Sequence, residues 1–157
     1  MNLLGGASKD RLLALDRVRF RLTTVWLLGS LPILVIVVVQ SLFGRAYGNH
    51  ANDAWGWLLP TLMPTLGMIV GTHAYTARDP LASQAQVRRD FFAVALFLSI
   101  VYLFFVYLTI LVQPFVTKSA ENRIALMQTS NLYLGPLQGL VASALGVLFA
   151  SKQREQE

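Results

Sequence analysis

A chain of 157 residues has room for one domain. It is 55% apolar and only 13% charged, against about 25% charged in an average soluble chain, which excludes a water-soluble globule and makes lipid the solvent for much of its surface. Without cysteine it has no disulfide, thiolate metal site or thiol chemistry, and its net charge of +5 comes with no nucleic-acid recognition motif, so basic loops beside membrane spans account for it.

In chain order, residues 1–23 carry a basic, amphipathic segment. From Ser8 the pattern reads as helical: Leu12, Leu15, Val18 and Leu22 recur at helical spacing. Lys9, Arg11, Asp16, Arg17, Arg19 and Arg21 fill the positions between. Two readings stand side by side. One is a helix lying on the membrane surface; the other is a charged anchor leading straight into the first span. Both place this end beside anionic headgroups. The apolar run that follows is longer than a signal-peptide core and lacks a small-x-small cleavage site, so it reads as a retained span.

The first span is expected at 24–43. No charge lies between Arg21 and Arg45, an interval of 23 residues, which at about 1.5 Å per residue crosses a hydrocarbon core of roughly 30 Å. Its β-branched stretch still reads as helix, because in lipid the backbone must satisfy itself. Trp26 is expected near the headgroups.

The second span, 55–75, begins with an aromatic belt at Trp55 and Trp57. Pro60 and Pro64 each delete one backbone hydrogen bond. The spacing puts Pro60, Pro64, Gly67 and Gly71 on one stripe of little bulk, suited to close helix contact. Thr61, Thr65, Met68, Thr72 and Thr76 form the neighbouring stripe. His73 is the one ionisable group within a span. It reads as a proton-sensitive gate or, more simply, as a neutral ring bonded to a backbone carbonyl.

A polar loop, 76–90, holds Arg78, Arg88 and Arg89 and starts with an Asp79-Pro80 turn signal. The third span, 91–113, keeps Ser99, Tyr102, Val106, Thr109 and Gln113 on one face, and Pro114 is expected to end it. The next loop reads as holding a short surface helix. The fourth span, 130–150, carries the strongest packing signal: Gly135, Gly139, Ser143 and Gly146 form an extended small-xxx-small face. A charged tail, 151–157, follows. Ten of the thirteen Lys and Arg fall on the side of the termini, so both termini and the 76–90 loop are expected in the cytoplasm, and the membrane is read as a bacterial inner membrane.

The fold class is therefore all-α, a single membrane domain of four transmembrane helices. All eight acidic residues lie outside the spans, which disfavours proton-coupled transport, a process that needs a carboxylate at depth. No metal, nucleotide or nucleophile motif is present, so no cofactor and no catalytic activity is expected. The stretch FGRAYGNHANDAWGWLLP, with Arg45, His50, Asn52 and Asp53, resembles the Arg/His/Asn/Glu segment of the membrane glutathione-transferase family. Those are four-helix proteins of similar length. The resemblance covers fewer than twenty residues and implies glutathione binding by this loop. It has Asp53 where an Asn-x-x-Glu pattern is expected, and it implies a cytoplasmic loop, opposite to the charge count. The activity is not carried over.

What remains is association. The chain is expected to assemble with itself or with a protein partner on the cytoplasmic side, and to have no nucleic-acid partner. In a pore-like version, Thr61, Thr65, Thr72, His73, Ser99, Tyr102 and Thr109 line a neutral passage. Gly67, Gly71, Gly135, Gly139, Ser143 and Gly146 serve assembly. Arg11, Arg17, Arg19, Arg21, Arg88 and Arg89 meet lipid headgroups or the partner. The alternative is a membrane anchor or accessory subunit of a larger complex.

Overall fold

The computed structural model describes residues 12–43, 46–76 and 86–150. Arg11, Arg45, the Asp79-Pro80 turn and the 151–157 tail lie outside the described residues. The rest is an all-α bundle of four helices, each long and apolar enough to cross a membrane: α1 (Leu15–Leu42), α2 (Ala51–Thr76), α3 (Arg89–Val116) and α4 (Ala120–Ala150). A 3-10 turn, Gly48–His50, leads into α2. The helices run up, down, up, down. The protein is therefore read as an integral membrane protein.

Two short strands, β1 (Leu12–Ala14) and β2 (Gln86–Arg88), pair antiparallel at the foot of α1 and α3, with Leu13 opposite Val87. This corrects the expectation of helix from Ser8, for residues 12–14. The ladder gives the backbone partners there, and helix begins only at Leu15. From there α1 runs unbroken into the span, so residues 15–23 are an anchor continuous with it, not a separate surface helix.

Two further boundaries and the place of one tryptophan differ from expectation. Pro114 lies inside α3, which continues to Val116; a proline blocks the bond to the residue four before it but does not prevent the last turn from forming. Thr117 N–H then donates to Gln113 O at 3.0 Å and closes that turn. The expected short helix after Pro114 is the first part of α4, which starts at Ala120 and runs through Pro136. Ser119 Oγ accepts the N–H of Asn122 at 3.2 Å, a side-chain cap at that start. Trp26, expected at the headgroups, is fully buried in the bundle interior, about 16 Å along α1 from Leu15. Its ring lies 5.8 Å from that of Tyr102.

The core is one cluster drawn from all four helices, including Leu22, Trp26, Ile33, Leu58, Leu62, Tyr102, Val106, Met127 and Leu145. At the hairpin end, Tyr47 is buried and donates its hydroxyl to Gln40 Oε1 at 2.7 Å. Arg123 Nη1 donates to Ala46 O at 3.1 Å, tying the first connection onto α4. Gly48 has φ +51°, the left-handed region that a residue with a Cβ rarely adopts. Gly29 faces α3 closely: a Cβ there would meet Leu103 Cδ1 at 2.7 Å.

Candidate functional site

The polar groups of α2 and α3 turn inward. Thr61, Thr65, Ser99, Tyr102, Thr109 and Gln113 are all buried, and Thr72 and His73 are half-buried. Most of their hydroxyls return to their own helix. Thr61 donates to Trp57 O at 2.6 Å, Ser99 to Ala95 O at 2.8 Å and Thr109 to Phe105 O at 2.9 Å. Thr72 does the same to Met68 O at 3.0 Å and Ile69 O at 2.8 Å. Such bonds satisfy a hydroxyl in a place where no water competes. Thr65 Oγ1, Gln113 Nε2 and Trp26 Nε1 are buried without a hydrogen-bond partner among the described residues.

His73 Nδ1 lies 3.0 Å from Ile69 O. A carbonyl only accepts, so Nδ1 carries the proton in this bond. Nε2 lies 3.4 Å from Thr23 Oγ1 on α1, which ties the last turn of α2 to α1.

The proline pair of α2 organises the middle of the bundle. Pro64 has no N–H, so the carbonyl of Pro60, four residues earlier, loses its helical donor. Gln138 of α4 supplies one: its Nε2 donates to Pro60 O at 3.0 Å. Next to it, Tyr102 of α3 donates to Thr61 O at 2.7 Å. Three helices thus meet at two adjacent carbonyls. Nearby, Tyr133 of α4 and Thr109 of α3 are joined at 2.9 Å, hydroxyl to hydroxyl, and Trp57 Nε1 donates to Ser130 Oγ at 3.1 Å.

The glycine stripes turn the other way. Gly67 and Gly71 on α2 face outward with Pro60 and Pro64, and Gly135, Gly139 and Ser143 on α4 are exposed, with Gly146 half-buried at the edge. A Cβ added at Gly67, Gly71, Gly135, Gly139 or Gly146 meets nothing within 4 Å. The small faces therefore make no close contact inside this chain. At 3.6 residues per turn, the α2 stripe lies on the side of α2 nearer α4, and the α4 stripe on the side of α4 nearer α2. Gln138, reaching across to Pro60, marks the seam between them. The two helices run in the same direction, so the two stripes lie on neighbouring outer faces of the bundle.

Arg19 corrects an expectation. It stands between Arg17 and Arg21, and the helical repeat turns it about half a turn away from both. It is buried, not at the headgroups. Its Nε and Nη2 donate to Leu148 O at 3.3 and 3.2 Å, and Nη2 also to Phe149 O at 3.0 Å. Its guanidinium also lies 5.7 Å from the centroid of the Phe149 ring. A cation on the last carbonyls of a helix satisfies orphan acceptors and complements the dipole. Arg88 pairs with Asp90 at 3.4 Å, and both are exposed.

His50 Nδ1 and Asp53 Oδ2 form an exposed pair at 3.0 Å, and Asn52 beside them is exposed. No nucleophile stands in this pair, and the described residues hold no group of three or more His, Cys, Asp or Glu suited to a metal ion. Sequence reasoning missed Gly29 and Gln138. Gly29 lies alone in an apolar run without a small-residue repeat. Gln138 shows its role only once Pro64 and α4 are side by side. The chain matches no family model, no curated relative and no solved structure.

Proposed function

We propose that the protein is a self-assembling membrane component, with the neighbouring small-residue faces of α2 and α4 as its association surface and no catalytic role. One observation carries this reading: of five glycines on two neighbouring helices four are exposed and Gly146 lies at the edge, each with open space where a Cβ would be. Helices in lipid gain nothing from hiding apolar surface. They associate through close packing, and small residues permit it. Within one chain these glycines perform no such packing, so a second copy of the chain is the natural occupant. Leu140 and Val147 are exposed beside the α4 stripe and flank it, and exposed Leu132 stands in line with it, seven residues before Gly139.

The interior hydroxyls favour assembly without a through-path. They lie inside one bundle beside Trp26 and Tyr102, and most are bonded to their own carbonyls. The alternative occupant is a different membrane protein, with this chain as its anchor or accessory subunit.

The test is the mass of the particle in native-lipid nanodiscs, for the wild type and for Gly139→Leu. The proposal expects a defined multiple of 17.4 kDa for the wild type. Gly139→Leu is expected to weaken association about tenfold or more, as loss of one close contact worth about 1.4 kcal/mol would do. A monomeric wild type, or an oligomer unchanged by the leucine, overturns it. A second chain co-purifying in fixed ratio selects the accessory-subunit reading.

A further inference from the structure

The end of the bundle that carries the strand pair is basic on its outside: Arg17, Arg21, Arg88 and Arg89 are all exposed there, against Asp16 and Asp90. Arg88 has Asp90 as a partner, while Arg17, Arg21 and Arg89 make no ion pair among the described residues. Among the described residues the opposite end sets Lys118 and Arg123 against Asp53 and Glu121, with His50 paired to Asp53, and Arg123 already gives Nη1 to Ala46 O.

The placement of the arginines is specific. Arg17 and Arg21 are four apart, one above the other on the outer face of α1, while Arg19 between them is turned inward. Continuing up the same face are Thr24, Leu28, Leu31 and Val35, of which Leu28 is 67% and Leu31 60% exposed. On α3, Arg89 heads a similar line through Ala93, Phe97, Ile100 and Phe104, with Phe97 65% exposed. The pairing of Leu13 with Val87 and the contact of Trp26 with Tyr102 fix the relative height of the two helices. Arg17 and Arg21 therefore stand level with the Phe92–Phe97 stretch of α3, of which Phe97 is exposed on the Arg89 line. The cations at this end are thus followed, along both helices, by large exposed apolar side chains. That arrangement matches the headgroup region, where guanidinium and phosphate meet while apolar side chains reach the upper acyl chains.

We propose that this α1–α3 face is a binding surface for anionic phospholipid, with the phosphates at Arg17, Arg21 and Arg89 and the acyl chains along the Leu28 and Phe97 lines. Guanidinium is suited to phosphate by its fork of donors. A zwitterionic lipid, whose own cation offsets its phosphate, leaves part of this positive charge uncompensated.

The experiment uses the full chain in a neutral detergent, titrated with phosphatidylglycerol or with phosphatidylcholine and read by native mass spectrometry. The expected result is retention of phosphatidylglycerol in clear excess. The Arg17→Gln/Arg21→Gln/Arg89→Gln variant should lose affinity for it by about five-fold per arginine, roughly a hundredfold in all, with Lys118→Gln as the control that changes little. The wild type in 1 M salt, where the screening length is about 3 Å, should lose the same preference without any substitution. Equal retention of the two lipids overturns the proposal, as does a preference that survives both high salt and the triple variant. Retention of an acidic protein in place of lipid, lost in the triple variant, also overturns it.

Discussion

The bond from Gln138 to Pro60 O can be tested by restoring what proline removed. Pro64 offers no N–H, Pro60 faces outward, and the surrounding lipid offers no donor. Gln138→Leu keeps the volume and removes the one side-chain donor to that carbonyl among the described residues. Leaving a carbonyl unpaired costs about 1–3 kcal/mol, while polar contacts between spanning helices average about 0.6 and reach about 1.7 kcal/mol. Because the carbonyl has no fallback within its helix, the upper part of that membrane range applies, about 1.5 kcal/mol. In a Pro64→Ala background, the backbone N–H regained at position 64 can reach Pro60 O, and the same Gln138→Leu change should cost no more than about 0.5 kcal/mol. The coupling of the pair is then about 1 kcal/mol, measured as a double-mutant cycle in denaturant unfolding from mixed micelles. Tyr102→Phe supplies the contrast: position 65 is not proline, so Thr61 O keeps a helical donor and the loss should stay near about 0.6 kcal/mol. Equal costs of Gln138→Leu in both backgrounds would refute the assignment of the bond to the proline gap.

Three further outcomes follow from the geometry. Arg19→Met keeps much of the stem but leaves the Leu148 and Phe149 carbonyls without their donor; it should destabilise by about 2 kcal/mol and raise amide exchange in the last turns of α4, whereas unchanged exchange there would remove its capping role. Gly29→Ala places a Cβ 2.7 Å from Leu103 Cδ1; a loss of about 1–2 kcal/mol is expected, relieved by Leu103→Ala in the same chain, and a full additive loss would contradict the close approach. Burial pushes the Tyr47 hydroxyl up to about 12, partly opposed by Arg123. The unfolded tyrosine ionises near about 10, so between pH 10 and 12 the unfolded state holds fewer protons and stability falls as pH rises, by on the order of 2 kcal/mol. Tyr47→Phe should remove that decline in unfolding measured across the same range.

The four helices were legible because apolar length and charge-free intervals answer directly to bilayer thickness. The inward face of Ser99, Tyr102, Val106, Thr109 and Gln113 was legible too, since spacing of three and four maps onto one side of a helix. Which way a small stripe faces was not. Gly135, Gly139 and Gly146 have the same spacing whether they meet a neighbour in the chain or a separate molecule, and only the packing of the other face of α4, with Leu134, Val141 and Leu145 in the core, decides it. The same holds for Arg17, Arg19 and Arg21: charge alone sends all three to the surface, but the repeat turns one of them toward the carbonyls at the end of α4. The strand pair left no signal of its own, because three-residue segments from distant parts of the chain are too short for alternation to stand out.

That strand pair also bears on how the protein is made. Leu13 and Val87 are joined in the ladder, yet about 74 residues of synthesis separate them. At roughly 5–20 residues per second, β1 leaves the ribosome some 4–15 seconds before its partner. The α1–α2 hairpin is therefore complete while the backbone of Leu12–Ala14 still has no strand beside it. Arrival of Gln86–Arg88 supplies that strand and sets the height of α3 against α1 before α4 has emerged. Only α4, carrying the carbonyls for Arg19 and the amide for Pro60, then remains to close the bundle. The order of translation thus makes the first hairpin the template and the last helix the clasp.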